Sequence, residues 1–237
     1  VALAAWHNRA TDEGEWMSLT AIGNLRPTPD REKALARYRA MANEYDASCR
    51  RILGMRQAAI DSLGLKGGET VFDVACGTGP TLVALADKVG AQGKVVGIEQ
   101  SPEMAEIART RVDDSGTGTP VSVLVAAVED APFDAHADAL LFSYTHDVLQ
   151  NPAAVQHLMR HARPGARVAV LATRFLPWWW GAPLNLFTGF RSRNYLTTFR
   201  GLSRPWEPLQ PYCPDIRFVR GYYCGTSCLA VGTVEAR

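Results

Sequence analysis

The stretch from Val71 to Gly79 constrains the fold more than any other part of the chain. Val71–Val74 is a short apolar run with one carboxylate, Asp73, and it reads as a buried strand. The small residues that follow predict a tight turn, after which an apolar-rich segment predicts a helix. A strand, a small-residue turn and a helix let a ligand contact bare backbone at the helix N-terminus. We therefore expect an α/β domain in which a Cβ atom at Gly77 or Gly79 would occupy ligand space, although a tight turn without a ligand has the same pattern.

A second carboxylate narrows the kind of ligand. Residues 95–98 predict the next strand, which ends in Glu99, twenty-two residues after Gly77. A carboxylate in this place can accept two hydrogen bonds from a ribose diol. The dinucleotide fingerprint would need a third glycine where the chain has Leu82, and no Gly-Lys-Ser/Thr of a phosphate-binding loop follows. What remains is an adenosine-type ligand without a pyrophosphate.

Three groups of residues together carry a family resemblance. They are Asp73-x-Ala75-Cys76-Gly77-Thr78-Gly79, Glu99 and Glu129-Asp130-Ala131-Pro132-Phe133. In this combination the chain resembles class I S-adenosylmethionine-dependent methyltransferases, most closely bacterial small-molecule members of the quinone C-methyltransferase and phospholipid N-methyltransferase type. The resemblance covers about residues 31–171. It implies S-adenosylmethionine as cofactor and a doubly wound, Rossmann-like α/β fold. The implied sheet has seven strands in the order 3-2-1-4-5-7-6, the last antiparallel, with helices on both faces.

The resemblance also implies a role for the matching positions. Backbone at Ala75, Gly77 and Gly79 would flank the methionyl part of the cofactor. Asp73 would lie near its amino group, and Glu99 would hold the ribose. The other residues that we assign to the cofactor are Tyr38, Tyr45, Gln100, Met104, Val128, Glu129 and Ser143.

Two parts of the chain are expected to cover the adenosine. The segment Tyr38–Tyr45 is similar to one that folds over the cofactor in the quinone and phospholipid methyltransferases, but its spacing also fits an amphipathic helix with core aromatics. The resemblance implies that Met104 packs on the adenine and that Val128 and Glu129 contact its edge. The chain departs from the family at Ala127, where many relatives carry an aspartate.

The candidate catalytic residues follow the fourth predicted strand, residues 137–142. Ligands lie at the carboxyl ends of the strands in an open parallel sheet, and Tyr144, His146 and Asp147 come directly after such an end. Histidine titrates near neutral pH, so His146 could take a proton from a hydroxyl or ammonium group. Asp147 would orient it or cap a turn. His146 could equally be a structural histidine bonded to a backbone carbonyl.

An aromatic segment, residues 174–212, separates the fifth predicted strand (Arg167–Thr173) from the closing hairpin. Three consecutive tryptophans cannot all face one way in regular structure, so some are expected to meet a pocket, a partner or a membrane surface. The residues that we assign to the acceptor are Trp178, Trp179, Arg174 and Arg193. They suit an amphipathic molecule with an apolar body and an anionic or oxygen-rich end. The alternatives are core packing beneath a long loop and peripheral membrane contact through residues 177–190.

Length and charge narrow the class of protein. The 237 residues fit a single methyltransferase domain. Its predicted parts are an N-terminal helical arm or lid (1–65), a cofactor-binding core (66–173), the aromatic insertion (174–212) and a C-terminal hairpin (213–237). A net charge of +1 argues against a nucleic-acid binder. The charge is uneven, however, since residues 151–237 hold eleven arginines, no lysine and three acidic residues.

Cysteine usage and hydropathy indicate the compartment. The five cysteines are scattered and lack the spacing of a zinc site, so we expect reduced thiols and no metal. No apolar run reaches the length of a transmembrane helix, and no signal peptide is visible. These observations predict a cytoplasmic protein.

The predicted function is S-adenosylmethionine-dependent methyl transfer to a small, amphipathic or aromatic acceptor, such as a quinone-like molecule, a lipid or a secondary metabolite. Two alternatives keep the fold and the cofactor. One is a non-catalytic S-adenosylmethionine-binding subunit, and the other is an enzyme that uses the cofactor without methylating. The sequence leaves the acceptor and the oligomeric state open.

Overall fold

A sheet of seven strands organises the computed structural model, which describes residues 29–30, 32–36, 50–193 and 195–236. The strands are β1 (Thr70–Val74), β2 (Lys94–Glu99), β3 (Val121–Val125), β4 (Ala137–Ser143), β5 (Ala162–Thr173), β6 (Arg217–Tyr222) and β7 (Ser227–Thr233). Their order is β3-β2-β1-β4-β5-β7-β6. The pairs among β1–β5 are parallel, whereas β7 is antiparallel to both β5 and β6. The predicted fold is confirmed.

The central strands are apolar because both faces of the sheet are covered. Successive side chains of a strand point to opposite faces. Phe72 and Val74 of β1 therefore enter one core cluster, and Val71 enters the other. All three are fully buried. Asp73 shares the face of Val71 at the carboxyl end of the strand, and this places a carboxylate beside the turn that follows.

Between residues 50 and 193, six α-helices accompany the sheet. They are α1 (Leu53–Ser62), α2 (Leu82–Val89), α3 (Pro102–Ser115), α4 (His146–Leu149), α5 (Pro152–Arg160) and α6 (Trp178–Ser192). Side-chain caps begin α3 and α5: the Ser101 hydroxyl accepts from the Met104 N–H at 3.3 Å, and the Asn151 side chain accepts from the Ala153 N–H at 3.1 Å. These caps fix where the chain leaves β2 and β4 at the carboxyl edge of the sheet.

The fifth strand is longer than predicted. We expected it to begin at Arg167, but it begins at Ala162, which pairs with Ala137 across an irregular register. The expectation failed because backbone partners exist for the preceding residues: the Gly165 N–H donates to the Val234 carbonyl at 2.8 Å. A Pro-Gly pair at a strand's start can lie in a bulge and does not have to mark a loop.

The aromatic segment forms a helix, α6, where a long loop was one expectation. Its inward residues are small or polar, namely Gly181, Asn185, Thr188 and Gly189. The Asn185 amide accepts from the Leu176 N–H at 2.7 Å and donates to the Leu176 carbonyl at 2.8 Å. A Cβ atom on Gly181 would lie 2.4 Å from the Leu176 Cβ. The helix therefore packs through its small side, and the alternative that the tryptophans belong to the core is wrong.

Membrane-spanning helices are absent from the described residues, since none of the helices there combines the necessary length with the necessary apolar content.

Candidate functional site

Two adjoining cavities lie at the carboxyl edge of the sheet. The predicted site residues that line the first cavity are Asp73, Ala75, Gly77, Glu99, Gln100, Met104, Ser143, Tyr144, His146 and Asp147. Val128 and Glu129 line the second cavity, which shares Ala75, Gln100 and Asp147 with the first. Ala34, in the helical turn at 32–36, contributes to both. The sequence thus located most of the cavity walls, which come from segments far apart in the chain.

Unpartnered polar atoms concentrate around these cavities. Among the described residues, seven buried side-chain nitrogen or oxygen atoms have no hydrogen-bond partner, and five of them belong to cavity-lining residues. Those five are Arg56 Nη1, Thr145 Oγ1, His146 Nδ1, His146 Nε2 and Gln150 Nε2. A buried polar group without a partner costs about 1–3 kcal/mol. Such a cluster indicates a ligand that completes the missing hydrogen bonds.

Glu99 links the ends of the first two strands. Its Oε2 accepts from the Gly77 N–H at 2.9 Å, and its Oε1 accepts from the Ser101 N–H at 2.7 Å. Burial raises the pKa of Glu99, and these backbone N–H groups offset part of that effect. Each oxygen keeps a further lone pair, so the carboxylate can still accept from a diol in the first cavity.

Asp73 is a fully buried carboxylate in the wall of the same cavity. It accepts a hydrogen bond from the Thr81 hydroxyl at 2.5 Å. Burial raises its pKa to about 6, against the lowering effects of Thr81 and Arg56, and the nearby Glu99 charge adds to the rise. Asp73 is therefore ionised at neutral pH. Thr81 and Arg56 offset only part of the cost of burying its charge, so a bound cationic group would stabilise it further.

Arg56 is a site residue that the sequence analysis missed. It lies on α1, is only 5% exposed, and donates from Nε to the Ser143 hydroxyl at 3.3 Å. Its Nη1 has no partner. A signal was available, because Arg56 falls at helical spacing from Ile52 and Ile60 on the apolar side of α1. A buried, half-satisfied guanidinium in a cavity wall is a site for a carboxylate or phosphate.

Tyr144 lies in the cavity wall, but its hydroxyl group is engaged with β7. The residue has a left-handed backbone conformation with φ of 59°, and its hydroxyl donates to the Ser227 hydroxyl at 3.1 Å. Burial raises the pKa of Tyr144 to about 12, an effect that the Ser227 hydrogen bond partly offsets. The phenol is therefore neutral at physiological pH, and it offers the cavity an aromatic wall and no base.

His146 faces the cavity with both ring nitrogens unpartnered, and it is 2% exposed. Burial lowers its pKa to about 4, and a contact with the Arg200 backbone offsets part of that effect. The ring is therefore neutral at physiological pH. The Arg200 contact supports the alternative of a structural histidine with a carbonyl partner, so the catalytic role of His146 stays a prediction. A neutral imidazole without partners can accept a hydrogen bond from a bound hydroxyl group.

Asp147 accepts hydrogen bonds from Thr197 and not from His146. We expected it to orient His146 or to cap a turn. Its carboxylate instead accepts from the Thr197 hydroxyl at 2.6 Å and from the Thr197 N–H at 3.2 Å. The Thr197 hydroxyl accepts in turn from the Asp30 N–H at 3.0 Å. Asp147 therefore fixes the segment that carries the cavity-lining Leu196 to the carboxyl end of β4.

Known proteins share this architecture. Residues 71–165 match the family described as Methyltransferase domain. The chain is 31% identical over 147 residues to a ubiquinone/menaquinone biosynthesis C-methyltransferase of Geobacter sp. strain M21, a match that covers 59% of this chain and 63% of the relative. It is 34% identical over 118 residues to a 2-phytyl-1,4-naphtoquinone methyltransferase of Trichormus variabilis, covering 49% and 52%. A crystal structure of a SAM dependent methyltransferase from Aquifex aeolicus superposes with a TM-score of 0.62 at 25% identity, covering 83% of this chain and 98% of that one.

Residues 71–165 match a methyltransferase domain, and the sheet has the strand order of the class I S-adenosylmethionine-dependent methyltransferase fold. The family and cofactor predictions are confirmed at that level. The matched segments span only between half and two thirds of the quinone methyltransferases named above. The similarity to those relatives therefore concerns the domain.

The cavity residues of the methyltransferase domain fit the cofactor. S-adenosylmethionine carries an ammonium and a carboxylate at its amino-acid end and a ribose diol at its centre. Asp73 and Arg56 supply the opposite charges in one cavity wall, and Glu99 supplies a carboxylate for the diol. The unpartnered Arg56 Nη1 can donate a hydrogen bond to an anionic group such as the cofactor carboxylate.

Several predicted site residues lie outside both cavities. Those that line neither cavity are Gly79, Trp178, Trp179, Arg174 and Arg193. A Cβ atom on Gly79 would lie 2.9 Å from the Ala108 Cβ, so the glycine permits α3 to pack against the turn and does not clear ligand space. Tyr38 and Tyr45 lie outside the described residues. The assignment of the tryptophans and arginines to the acceptor stays a prediction.

Among the described residues, the cysteines form no disulfide and the potential ligands form no metal centre. Cys76, Cys213, Cys224 and Cys228 are free thiols, and Cys49 lies outside the described residues. Within the described ranges, no three His, Cys, Asp or Glu side chains are grouped as a metal site would require.

Proposed function

We propose that this protein transfers a methyl group from S-adenosylmethionine to a small aromatic acceptor of the quinol type. The observation that supports the proposal is that the first cavity combines two kinds of polar group in its lining. Asp73 and Arg56 provide charge, whereas Thr145 and His146 provide neutral, unpartnered polar groups. The names of two relatives, which are quinone methyltransferases, support this acceptor class.

The cofactor would span both cavities. In the proposed arrangement, Arg56 binds the methionyl carboxylate, Asp73 binds the ammonium and Glu99 binds the ribose diol. Val128 and Glu129 in the second cavity are placed to contact the adenine edge. Bound S-adenosylmethionine supplies a methyl group that is activated by the positive charge on its sulfur.

The acceptor would lie against Tyr144 and His146. The Tyr144 ring provides an aromatic surface, and the neutral His146 imidazole accepts the hydrogen bond of a ring hydroxyl. A ring hydroxyl that donates its proton in this way makes the neighbouring ring carbon and the oxygen more electron-rich. Holding that ring at the methyl group and excluding water is the main catalytic task.

The test uses the purified protein, S-adenosylmethionine with a deuterated methyl group, and a reduced 1,4-naphthoquinone that carries an isoprenoid tail. We expect S-adenosylhomocysteine, a quinol product in which one hydrogen is replaced by the deuterated methyl group, and release of the displaced proton to solvent. Fragmentation of the product shows whether the methyl group is on carbon or oxygen. The oxidised quinone, which lacks the donor hydroxyl groups, is the matched control and should not react.

Other outcomes would contradict the proposal in separate ways. S-adenosylhomocysteine without a methylated product would indicate an enzyme that uses the cofactor without methylating. Cofactor binding without turnover, over a panel of quinols, phenols and amines, would indicate a binding subunit. Methylation of an amine in preference to the quinol would keep the reaction and overturn the acceptor class.

A further inference from the structure

Helix α6 has its large apolar residues on the outside. The exposed residues are Trp178, Trp179, Trp180, Leu186, Phe187 and Phe190, each between 48% and 83% exposed. Trp179, Pro183, Leu186 and Phe190 recur at spacings of four, three and four residues, so they form one stripe along the helix. The usual arrangement is inverted, because the inward side holds the small and polar residues. We call this outer surface the aromatic face.

Arginines border the aromatic face. The Arg191 guanidinium lies 5.9 Å from the Phe187 ring centroid, and the Arg193 guanidinium lies 4.0 Å from that of Phe190. No acidic residue occurs in the sequence between Asp147 and Glu207. Residues 148–206, which include the face, therefore contribute arginines and no carboxylates.

We propose that the aromatic face docks on the surface of an anionic lipid bilayer. Tryptophan and phenylalanine on one side of a helix, flanked by arginine, are the composition of a helix that lies in the membrane interface. The rings would sit at the boundary between head groups and acyl chains. The arginine side chains are long enough to keep their charges at the lipid phosphates.

Charge favours the bilayer over a second copy of this chain. Two copies joined by a two-fold axis through the aromatic face would each present the same surface to the other. Arg191 and Arg193 of both copies would then enter one interface, which would bring four guanidinium groups together. Like charges in an interface oppose association, whereas anionic lipids attract them.

The position of α6 connects this surface to the first cavity. The helix ends at Ser192, and Tyr195 and Leu196, directly after it, line the cavity. A protein docked through the aromatic face would therefore hold that cavity wall close to the lipid. This step rests on the proposed function: a quinol with an isoprenoid tail would reach the first cavity directly from the bilayer.

Vesicle flotation tests the docking in the absence of cofactor and acceptor. The full chain is mixed with vesicles of phosphatidylcholine alone or of phosphatidylcholine with phosphatidylglycerol. We expect binding to the anionic vesicles that weakens as salt rises, and little binding to the neutral ones. Replacing Trp179 and Phe187 together with Ser should weaken binding by at least about tenfold. Replacing Arg191 and Arg193 together with Gln should weaken it by about tenfold and reduce the salt dependence.

Matched variants and a second measurement keep the test decisive. Leu53→Ser and Val125→Ser replace exposed apolar residues outside α6, and Arg160→Gln with Arg163→Gln replaces exposed arginines elsewhere. These variants should bind vesicles as the wild type does. Absence of binding, or equal losses in the control variants, would overturn the proposal. So would a concentration-dependent dimer, seen by analytical ultracentrifugation, that the Trp179/Phe187 variant abolishes. Because no turnover is measured, these outcomes are independent of the proposed function.

Discussion

The backbone N–H of Gly77 donates to the Glu99 carboxylate at 2.9 Å. This hydrogen bond joins the turn after β1 to the end of β2, so the two motifs that the sequence separates by twenty-two residues form one wall of the first cavity. Glu99 therefore shapes the turn, and we propose that its remaining lone pairs accept hydrogen bonds from the ribose of the cofactor.

Replacing Glu99 with Ala should weaken the binding of S-adenosylhomocysteine by about 1.5–3 kcal/mol, a roughly 10- to 150-fold rise in Kd. The loss combines the missing charge-assisted hydrogen bonds with a looser Gly77 turn. Calorimetry measures it directly. Glu106→Gln, which alters an exposed carboxylate on α3, is the control and should bind normally. Unchanged affinity in Glu99→Ala would remove Glu99 from the cofactor site.

His146→Leu should lower kcat by roughly 10- to 100-fold, because the acceptor hydroxyl loses its hydrogen-bond partner. The same change should leave the free protein at least as stable at neutral pH, since it removes two unpartnered buried nitrogens. His136→Leu, an exposed histidine, is the matched control. A large loss of stability at neutral pH would indicate that His146 has a structural partner.

The same histidine should also appear in the acid denaturation of the protein. Its pKa is lowered from 6.5 to about 4 by burial, so its neutral form contributes stability that is fully present above about 6.5 and is lost as pH falls towards 4. The shift corresponds to an effect on the order of 3 kcal/mol. Asp73, with a pKa raised to about 6, acts in the opposite direction over part of this range. Chemical denaturation should therefore compare His146→Leu with wild type, and the variant should lose less stability on acidification.

Thr197→Val should remove hydrogen bonds that hold the segment around Leu196 in the cavity wall, while the side chain keeps nearly the same shape. The substitution removes the hydroxyl that donates to Asp147 and accepts from the Asp30 N–H. We expect a loss of about 1–2 kcal/mol in the free energy of unfolding and a several-fold weaker cofactor affinity. Thr110→Val, whose hydroxyl bonds only to a carbonyl of its own helix at 3.1 Å among the described contacts, is the control. If the two variants changed the free energy of unfolding and the cofactor affinity equally, the Asp147–Thr197 hydrogen bonds would have no role in shaping the site.

The Arg167–Glu69 ion pair should matter more for stability than the Arg163–Asp138 pair. Arg167 makes two hydrogen bonds to Glu69, at 3.0 and 2.5 Å, and donates to the Leu63 carbonyl at 2.7 Å. Arg167→Leu should cost about 1–3 kcal/mol because half-buried, multiply bonded charges lose their partner. Arg163→Leu should cost less than about 1 kcal/mol, since the Arg163 side chain is half exposed. Thermal unfolding of both variants measures the difference. A larger fall in Tm for Arg163→Leu than for Arg167→Leu would contradict this ranking.

Most of the sheet and the cofactor motifs were predictable because they depend on local sequence. A buried strand followed by a small-residue turn, as at Val71–Gly79, can be read from apolar runs and glycines. The same holds for the caps at Ser101 and Asn151. These features come from hydrogen bonds and burial within a few residues of chain.

The missed features depend on contacts between distant parts of the chain. Arg56 looked like one more polar residue of a helix, and only the packing of α1 against β4 and β5 brings its guanidinium close enough to act on the Asp73 charge. The partner of Asp147 is fifty residues away, at Thr197. The orientation of Trp179 was likewise set by Asn185 and Leu176, which hold the opposite side of α6.

The most direct test of the account compares two ligands that differ only at the amino-acid end. S-adenosylhomocysteine carries the carboxylate and ammonium, whereas 5′-methylthioadenosine lacks both. In calorimetry at neutral pH, where Asp73 is ionised, Arg56→Met and Asp73→Asn should each weaken S-adenosylhomocysteine by roughly 10- to 100-fold. Both variants should bind 5′-methylthioadenosine within about twofold of wild type, which also shows that they are folded. Equal losses for the two ligands, or no loss for either, would contradict the placement of the cofactor in the first cavity.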